Sequence, residues 1–307
     1  MLSFSAKRLL FLFLQLVPVL TFAQSQRLTL ATYTYANNNR LQNIQPLATT
    51  LSSELGLPVD IKSYPSVSAF IQGLEAGEVD IALISTFGYL LLTTRNDQHY
   101  TPVAALQTPT SASDNYKTAI VARTSLPINT VAQLNGQSAS YRMTFVSETS
   151  TSGNLIPRAF LYAAGITQPE QQFKQVSYSK THAAGIAQLL NNETDLAALG
   201  SEEYRKVISR DSLAKQQLKL VWLSEEIPLG PVLLKKSLST VSRQQITQLF
   251  LSLHNHYPDA LHALRSGWSE ARQAEQFRPI DKAFYQTYQQ NIGAPAELIQ
   301  HFASLIR

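Results

Sequence analysis

Ser150, Thr151, Ser152 and Gly153 stand immediately before a segment, 154–165, that reads as a helix. Three hydroxyls and a glycine at a helix start make a cradle for an oxyanion. The first N–H groups of a helix lack intrahelical partners and carry the positive end of the helix dipole, so a tetrahedral anion collects several hydrogen bonds there without a lysine or arginine. Pro157 is compatible only with a position near the helix start, which keeps the first turn close to Gly153. A Ser/Thr cluster at this place is also what an ordinary N-cap looks like. The choice between the two readings rests on the elements that carry the cluster and on what they place opposite it.

Those elements alternate. Residues 27–33 read as a strand, 44–55 as a helix ending at Gly56, 59–64 as a second strand, and 66–77 as a helix with Ser66 at its N-cap and Gly77 at its end. A buried strand at 79–84 leads through Ser85, Thr86 and Tyr89 into another helix. Strands and helices in this order predict parallel βαβ units, whose loops at the carboxyl ends of the strands face a ligand crevice. Tyr33, Tyr64, Ser85, Thr86 and Tyr89 are therefore expected to converge on one site. The pattern loosens over 108–113, and a second α/β region begins at Tyr116. It holds strands at 118–122, 175–178 and 195–199, the hydroxyl cluster, and a helix from about His182 to Asn191. The stretch 226–231, with two prolines and a glycine, would carry the chain back. The remainder of the chain is mainly helical and most periodic over 241–264.

Composition narrows the class. Lys7 and Arg8 precede the apolar run 9–20, and Thr21-Phe22-Ala23 offers small residues at the expected spacing, so residues 1–23 read as a secretory signal peptide. The mature chain of 284 residues exceeds one ordinary core and suggests two lobes. The chain has no cysteine, hence no disulfide and no acylation site for a lipoprotein, which favours the periplasm. Without Lys7 and Arg8 the formal charge falls from +4 to +2, and no basic stripe with interleaved aromatics marks a nucleic-acid surface.

Other chemistry is not supported. Ser177-Tyr178-Ser179-Lys180 has the Ser-x-x-Lys spacing of penicillin-recognising enzymes but sits at a strand end without the companion motifs, and no Gly-x-Ser-x-Gly elbow surrounds Ser150 or Ser152. His254, His256 and His262 lack the four-residue spacing of a zinc helix, so no metal site and no cofactor is expected.

The order of motifs resembles the periplasmic solute-binding proteins of phosphate, phosphite and phosphonate ABC transporters, the PhnD-like family. The matching residues are Pro46-Leu47-Ala48, Leu55-Gly56-Leu57-Pro58-Val59, Tyr64, Gly77-Glu78-Val79-Asp80-Ile81-Ala82, Tyr89, Ser150-Thr151-Ser152-Gly153, His182 and Asp195. The resemblance implies the two-lobed type II periplasmic-binding fold, α/β, each lobe a mostly parallel sheet flanked by helices, with the ligand cleft between. It also implies no catalysis. Lobe 1 would comprise 24–113 and the returning 231–307, and lobe 2 would comprise 114–230. Carried over residue by residue, it nominates Tyr64, Tyr89, Ser150, Thr151, Ser152 and His182 as ligand contacts. Tyr33, Ser85, Thr86, Gly153 and Glu202 are weaker candidates.

The implied partners are a small phosphorus oxyanion and an ABC permease in the inner membrane, with the receptor itself a monomer. A sensor of the same fold, or a receptor for another tetrahedral oxyanion, are the alternatives. Where many relatives bring a second carboxylate toward an aminoalkyl group, this chain has Gly200-Ser201-Glu202-Glu203, with no carboxylate clearly in register. That disfavours aminoalkyl phosphonates and favours phosphate, phosphite or a small alkyl phosphonate, with Glu202 read as an exposed helix-start residue. A bound dianion is expected to favour the protonated form of His182, so that binding tightens as pH falls.

Overall fold

The computed structural model describes residues 27–95, 99–112, 115–291 and 298–300; the signal peptide expected over 1–23 lies outside the described residues. The chain lays down β1 (Leu28–Tyr33), α1 (Leu41–Leu55), β2 (Val59–Tyr64), α2 (Val67–Glu75), β3 (Ile81–Leu83), α3 (Thr86–Thr94) and β4 (Tyr100–Gln107). It then crosses to β5 (Thr118–Arg123), β6 (Arg142–Phe145), α4 (Ile156–Ala163), α5 (Pro169–Gln172), β7 (Gln175–Tyr178), α6 (His182–Leu190), β8 (Leu196–Gly200), α7 (Ser201–Arg210), α8 (Ser212–Gln217) and β9 (Leu218–Leu223). After returning it forms β10 (Pro231–Lys235), α9 (Thr240–His256), α10 (Pro258–Ser266), β11 (Gln276–Pro279) and α11 (Lys282–Asn291).

The strands build two sheets, in the orders β11-β4-β10-β3-β1-β2 and β7-β6-β8-β5-β9. The two share one plan. In each, the first three strands of the unit are parallel, β1 with β2 and β3, β6 with β7 and β8. The strand arriving from the other sheet inserts antiparallel between the third and the fourth, β10 between β3 and β4 and β5 between β8 and β9. The parallel arrangement expected from the βαβ pattern thus holds for the first three strands of each sheet. The crossing strands are antiparallel because they enter from the opposite direction.

Burial follows the periodicity. Leu28, Leu30 and Ile81 meet Ile44, Leu47 and Leu51 of α1 on one face of the first sheet, with Phe250 and Leu253 of α9 beside them. Ala31, Ala82 and Leu233 meet Phe70, Ile71 and Leu74 of α2 on the other. In the second sheet Ile120, Ala122, Met143, Phe145, Leu196 and Ala198 form the larger core with Leu161 of α4. The periodic stretch 241–264 is two helices, because Pro258 cannot continue α9 and instead opens α10. The lobes touch where Leu155, Ile156 and Ala159 join Phe87, Leu90 and Leu91 of α3 in one cluster.

The return crossing is tight. A Cβ on Gly230 would stand 1.8 Å from the carbonyl oxygen of Ile84 and 2.8 Å from Ser85 Cα, both backbone atoms. Gly230→Ala must therefore push β10 away from the end of β3. It should lower the unfolding free energy by at least about 2 kcal/mol, read as a lower urea midpoint at unchanged m. A midpoint equal to the parent's would contradict this packing.

Candidate functional site

The hydroxyl cluster sits at a helix start built in three steps. Ser150 is the N-cap, its Oγ accepting the Gly153 N–H at 3.0 Å. Residues Thr151–Leu155 form one π-turn, in which the Leu155 N–H reaches the Ser150 carbonyl at 3.0 Å, and α4 continues from Ile156. Gly153 permits this course. Its missing Cβ would meet the Cβ and Cγ2 of Val146 at 2.4 Å, so the turn can lie flat on the chain leaving β6, whose Val146 N–H donates to the Gly153 carbonyl at 2.9 Å. From β5, the Thr118 hydroxyl donates to the Ser152 carbonyl at 2.5 Å and pins the same turn from the side.

A cleft of about 350 Å³ opens in front of this turn, and helix starts from both sheets surround it. Arg40, Ser66 and Ser85 are the N-caps of α1, α2 and α3, Ser150 caps the π-turn, His182 is the first residue of α6, and Gly200 caps α7; all six line the cleft. Their convergence follows from the topology, since each of these helices begins near the carboxyl end of a strand. The positive ends of their dipoles sum there, which favours an anion. The Phe87 N–H in the first turn of α3 donates to Thr151 Oγ1 at 3.1 Å and links the two sheets at this point.

The structure brings together Tyr33, Ser85, Ser150, Thr151, Ser152, His182 and Glu202 on the cleft wall. Tyr64, Tyr89, Thr86 and Gly153 are not on it, and each has a physical reason. Tyr64 ends β2, but its ring occupies the space left by the missing side chain of Gly73, and its hydroxyl donates to Glu78 at 2.8 Å with Lys62 Nζ over the ring face. The next residues in the chain, Pro65 to Val67, supply that part of the wall instead. Tyr89 is buried against Tyr285, ring centroids 5.0 Å apart. Thr86 turns its hydroxyl to the Pro228 carbonyl at 2.6 Å and borders a smaller cavity of about 50 Å³. Gly153 acts through the turn it makes possible. Glu202, expected to be an exposed helix-start residue, faces the cleft and pairs with Arg272 at 2.9 Å, a contact between elements of the two sheets.

His182 differs from expectation in its charge. The Gly200 N–H donates to His182 Nδ1 at 3.0 Å, so Nδ1 is the acceptor nitrogen and the proton sits on Nε2. Burial pushes the imidazole down to about 4. His182 is therefore a neutral donor near pH 7, and protonating it costs both desolvation and the Gly200 bond. The expected tightening of binding as pH falls through neutrality is corrected accordingly.

Two wall residues carry signals that the sequence does not display. Tyr116, on the crossing between β4 and β5, stands on the cleft wall with Thr151 and Ser152, and burial, then the charge of Glu270, push its phenol well above the usual range, so it remains a donor. Arg40 is an arginine at an N-cap in left-handed conformation, with its guanidinium 4.6 Å from the Tyr33 ring and 4.4 Å from that of Trp268. A tyrosine ahead of an apolar strand is the one hint at Tyr116; at Arg40 local pattern gives none, because N-caps favour small polar residues. Among the described residues no group of three or more His, Cys, Asp or Glu could hold a metal ion.

Residues 30–285 match the family model described as ABC transporter, phosphonate, periplasmic substrate-binding protein. The chain belongs to this family. It is 25% identical over 236 residues, 75% of this chain and 68% of the relative, to the phosphonates-binding periplasmic protein of Escherichia coli K12. It is 30% identical over 132 residues, 40% of this chain and 44% of the relative, to a probable ABC transporter phosphite-binding protein of Prochlorococcus marinus. The fold is shared with the Prochlorococcus marinus PhnD1 structure in complex with methylphosphonate, at a TM-score of 0.68 and 19% identity over 89% of this chain and 98% of that one. The two sheets with antiparallel crossing strands are thus the type II periplasmic-binding architecture of the family.

The state of His182 has a measurable consequence. Its folded-state value of about 4 lies below its ordinary 6.5, so between these pH values the unfolded chain binds the proton and the folded one does not. Stability is fully present above pH 6.5 and is lost as pH falls toward 4. On going from pH 7 to pH 5, anion-free protein should lose about 1 to 2 kcal/mol more than its His182→Gln variant, by urea unfolding. Equal losses would contradict the buried neutral imidazole.

Proposed function

We propose that this chain is a periplasmic receptor that captures a phosphorus oxyanion between its lobes and presents the closed, loaded form to an ABC permease in the inner membrane. The observation that carries this reading is the turn at Ser150, Thr151 and Ser152, at a cleft where helix starts from both sheets converge. Such a site suits a phosphoryl group. Hydroxyl and backbone donors satisfy its oxygens while few fixed charges are desolvated, and neutral His182 and Tyr116 add N–H and O–H donors.

In this reading the lobes comprise 24–113 with 231–307, and 114–230, and they move about the two crossings. Phe87 to Thr151 and Arg272 to Glu202 are among the contacts that join them, and opening the cleft would part Arg272 from Glu202. A ligand touching both sides selects the closed state by its greater affinity for it, and that difference is what a permease can detect. The receptor acts as a monomer, performs no chemistry, and reaches the periplasm through the leader at 1–23. Methylphosphonate, the ligand of the Prochlorococcus marinus PhnD1 complex, sets the scale of ligand tested first, with phosphite and phosphate beside it.

Calorimetric titration of anion-stripped protein with methylphosphonate, phosphite, phosphate and sulfate tests the reading. At least one phosphorus ligand should bind with sulfate weaker, and no binding of any of the three would refute it. Ser150→Ala and Thr151→Ala should each weaken that ligand by about 1 to 3 kcal/mol, since each leaves a desolvated oxygen short of a donor, and Tyr116→Phe by about 1 kcal/mol. Unchanged affinity in all three, with the fold intact by circular dichroism, would remove the phosphoryl group from this turn.

A further inference from the structure

The polar groups of the Ser150 turn are neutral, yet one wall of the cleft holds a buried full charge. Arg40 is 3% exposed. Its Nε donates to the Gly267 carbonyl at 2.9 Å and its Nη1 to the Tyr33 carbonyl at 3.1 Å, while the rings of Tyr33, Tyr35 and Trp268 lie around the guanidinium at 4.6, 5.7 and 4.4 Å. Carbonyls and ring faces stabilise a cation but do not neutralise it. Among the described residues no carboxylate forms an ion pair with Arg40. A buried charge left without a counter-ion is costly, and it persists where something else compensates it.

The other charges on the wall differ in kind. Arg272 is paired with Glu202, and Lys206 stands 3.7 Å from Glu203. Lys117 and Lys180 are more exposed and therefore screened by water and salt. Glu270 is the opposing charge, half-buried on the same wall. Tyr35 is a protonated phenol, pushed up to about 12 by burial first and the Glu270 charge next. Tyr35 also fixes the geometry. Its ring is 5.7 Å from the Arg40 guanidinium and 6.3 Å from the His182 ring, so at most about 12 Å, bridged by one aromatic ring, separates the cation from the histidine beside the anion turn.

We infer that Arg40 supplies the positive charge that complements the bound oxyanion and makes the site select the doubly charged form of its ligand. The inference rests on the phosphorus-oxyanion reading above and adds to it a specificity-determining residue from the first lobe, facing the neutral donors of the second. At an effective dielectric constant near 20 and a separation near 10 Å, one full charge shifts the second ionisation of a bound phosphonate by about one pH unit.

The test reads the ligand itself. The phosphorus NMR shift of methylphosphonate bound to the full receptor, followed against pH, gives the midpoint of its second ionisation in the site. With the parent protein this midpoint should lie below that of free methylphosphonate. Arg40→Met should raise it by about one pH unit, Arg40→Lys should restore most of the difference, and Glu270→Gln should lower it. A parent-like midpoint in Arg40→Met overturns the inference. So does a rise of about one pH unit above the parent in Arg40→Lys, which would make the arginine a structural tie between Tyr33 and Gly267; that arm still reports if the methionine variant does not fold. If the parent binds none of methylphosphonate, phosphite and phosphate, the oxyanion reading fails first and the inference with it. A parent that binds methylphosphonate with an unshifted midpoint refutes the inference alone.

Discussion

The site depends on one steric contact, the backbone of Gly153 lying on Val146 at the end of β6. Because no Cβ intervenes, the turn from Ser150 can fold down onto the sheet edge, accept a hydrogen bond there, and lead into α4 with Ser150, Thr151 and Ser152 on the cleft wall. A side chain at 153 would lift the turn and misalign every donor in it, since the neighbouring Thr118, Phe87 and Gly200 are themselves held by strands and helices. The second sheet therefore acts as a jig. β5 and β8 carry Thr118 and Gly200 to fixed places on either side of the turn, and their own order is set by the crossing strand that enters between β8 and β9.

Around that turn the electrostatics are arranged so that binding an anion requires little from the protein. Six helix starts place partial positive charge at the cleft, and neutral hydroxyl, imidazole and phenol groups supply directed donors. Desolvating neutral donors costs far less than desolvating lysines, so a small anion can be enclosed by closing lobes without a large electrostatic penalty in the open, wet state. Among the charges on the wall, Arg272 is paired with Glu202, whereas Arg40 is buried in an aromatic setting. The pair contributes to closure, and the buried charge contributes to which ionic form is held.

The architecture was largely legible in the sequence because its determinants are local. Apolar runs of strand length, amphipathic segments, Ser66 at an N-cap and Gly56 after a helix are patterns within a few residues. The hydroxyl turn was legible for the same reason. What escaped was set by distant partners. Tyr64 looks like a crevice residue at the end of a strand, and only the gap at Gly73, nine residues on and in a helix above it, explains why its ring is drawn there. Glu202 has the pattern of a solvent-facing residue, and its pairing with Arg272, from the returning segment across the cleft, is a tertiary contact that no local pattern reveals. His182 is a site candidate by pattern, but its charge is decided by burial and its tautomer by the N–H of Gly200, eighteen residues away in sequence. Arg40 and Tyr116 gain their importance wholly from tertiary neighbours. The crossing strands explain the remaining difference, since a βαβ rhythm does not reveal a strand inserted from another lobe.

The central claim is that the ligand's oxygens are held by the helix start at Ser150 to Ser152. Hydrogen–deuterium exchange of the backbone amides over 147–156, measured for anion-stripped protein and for protein saturated with whichever of methylphosphonate, phosphite or phosphate binds, tests it at the atoms concerned. The Thr151 and Ser152 amides should become strongly protected on binding, beyond the protection that lobe closure gives to the cleft wall around Ser66 and Ser85. Protection confined to the first lobe, or unchanged exchange at 151 and 152 in a saturated protein, would contradict the account.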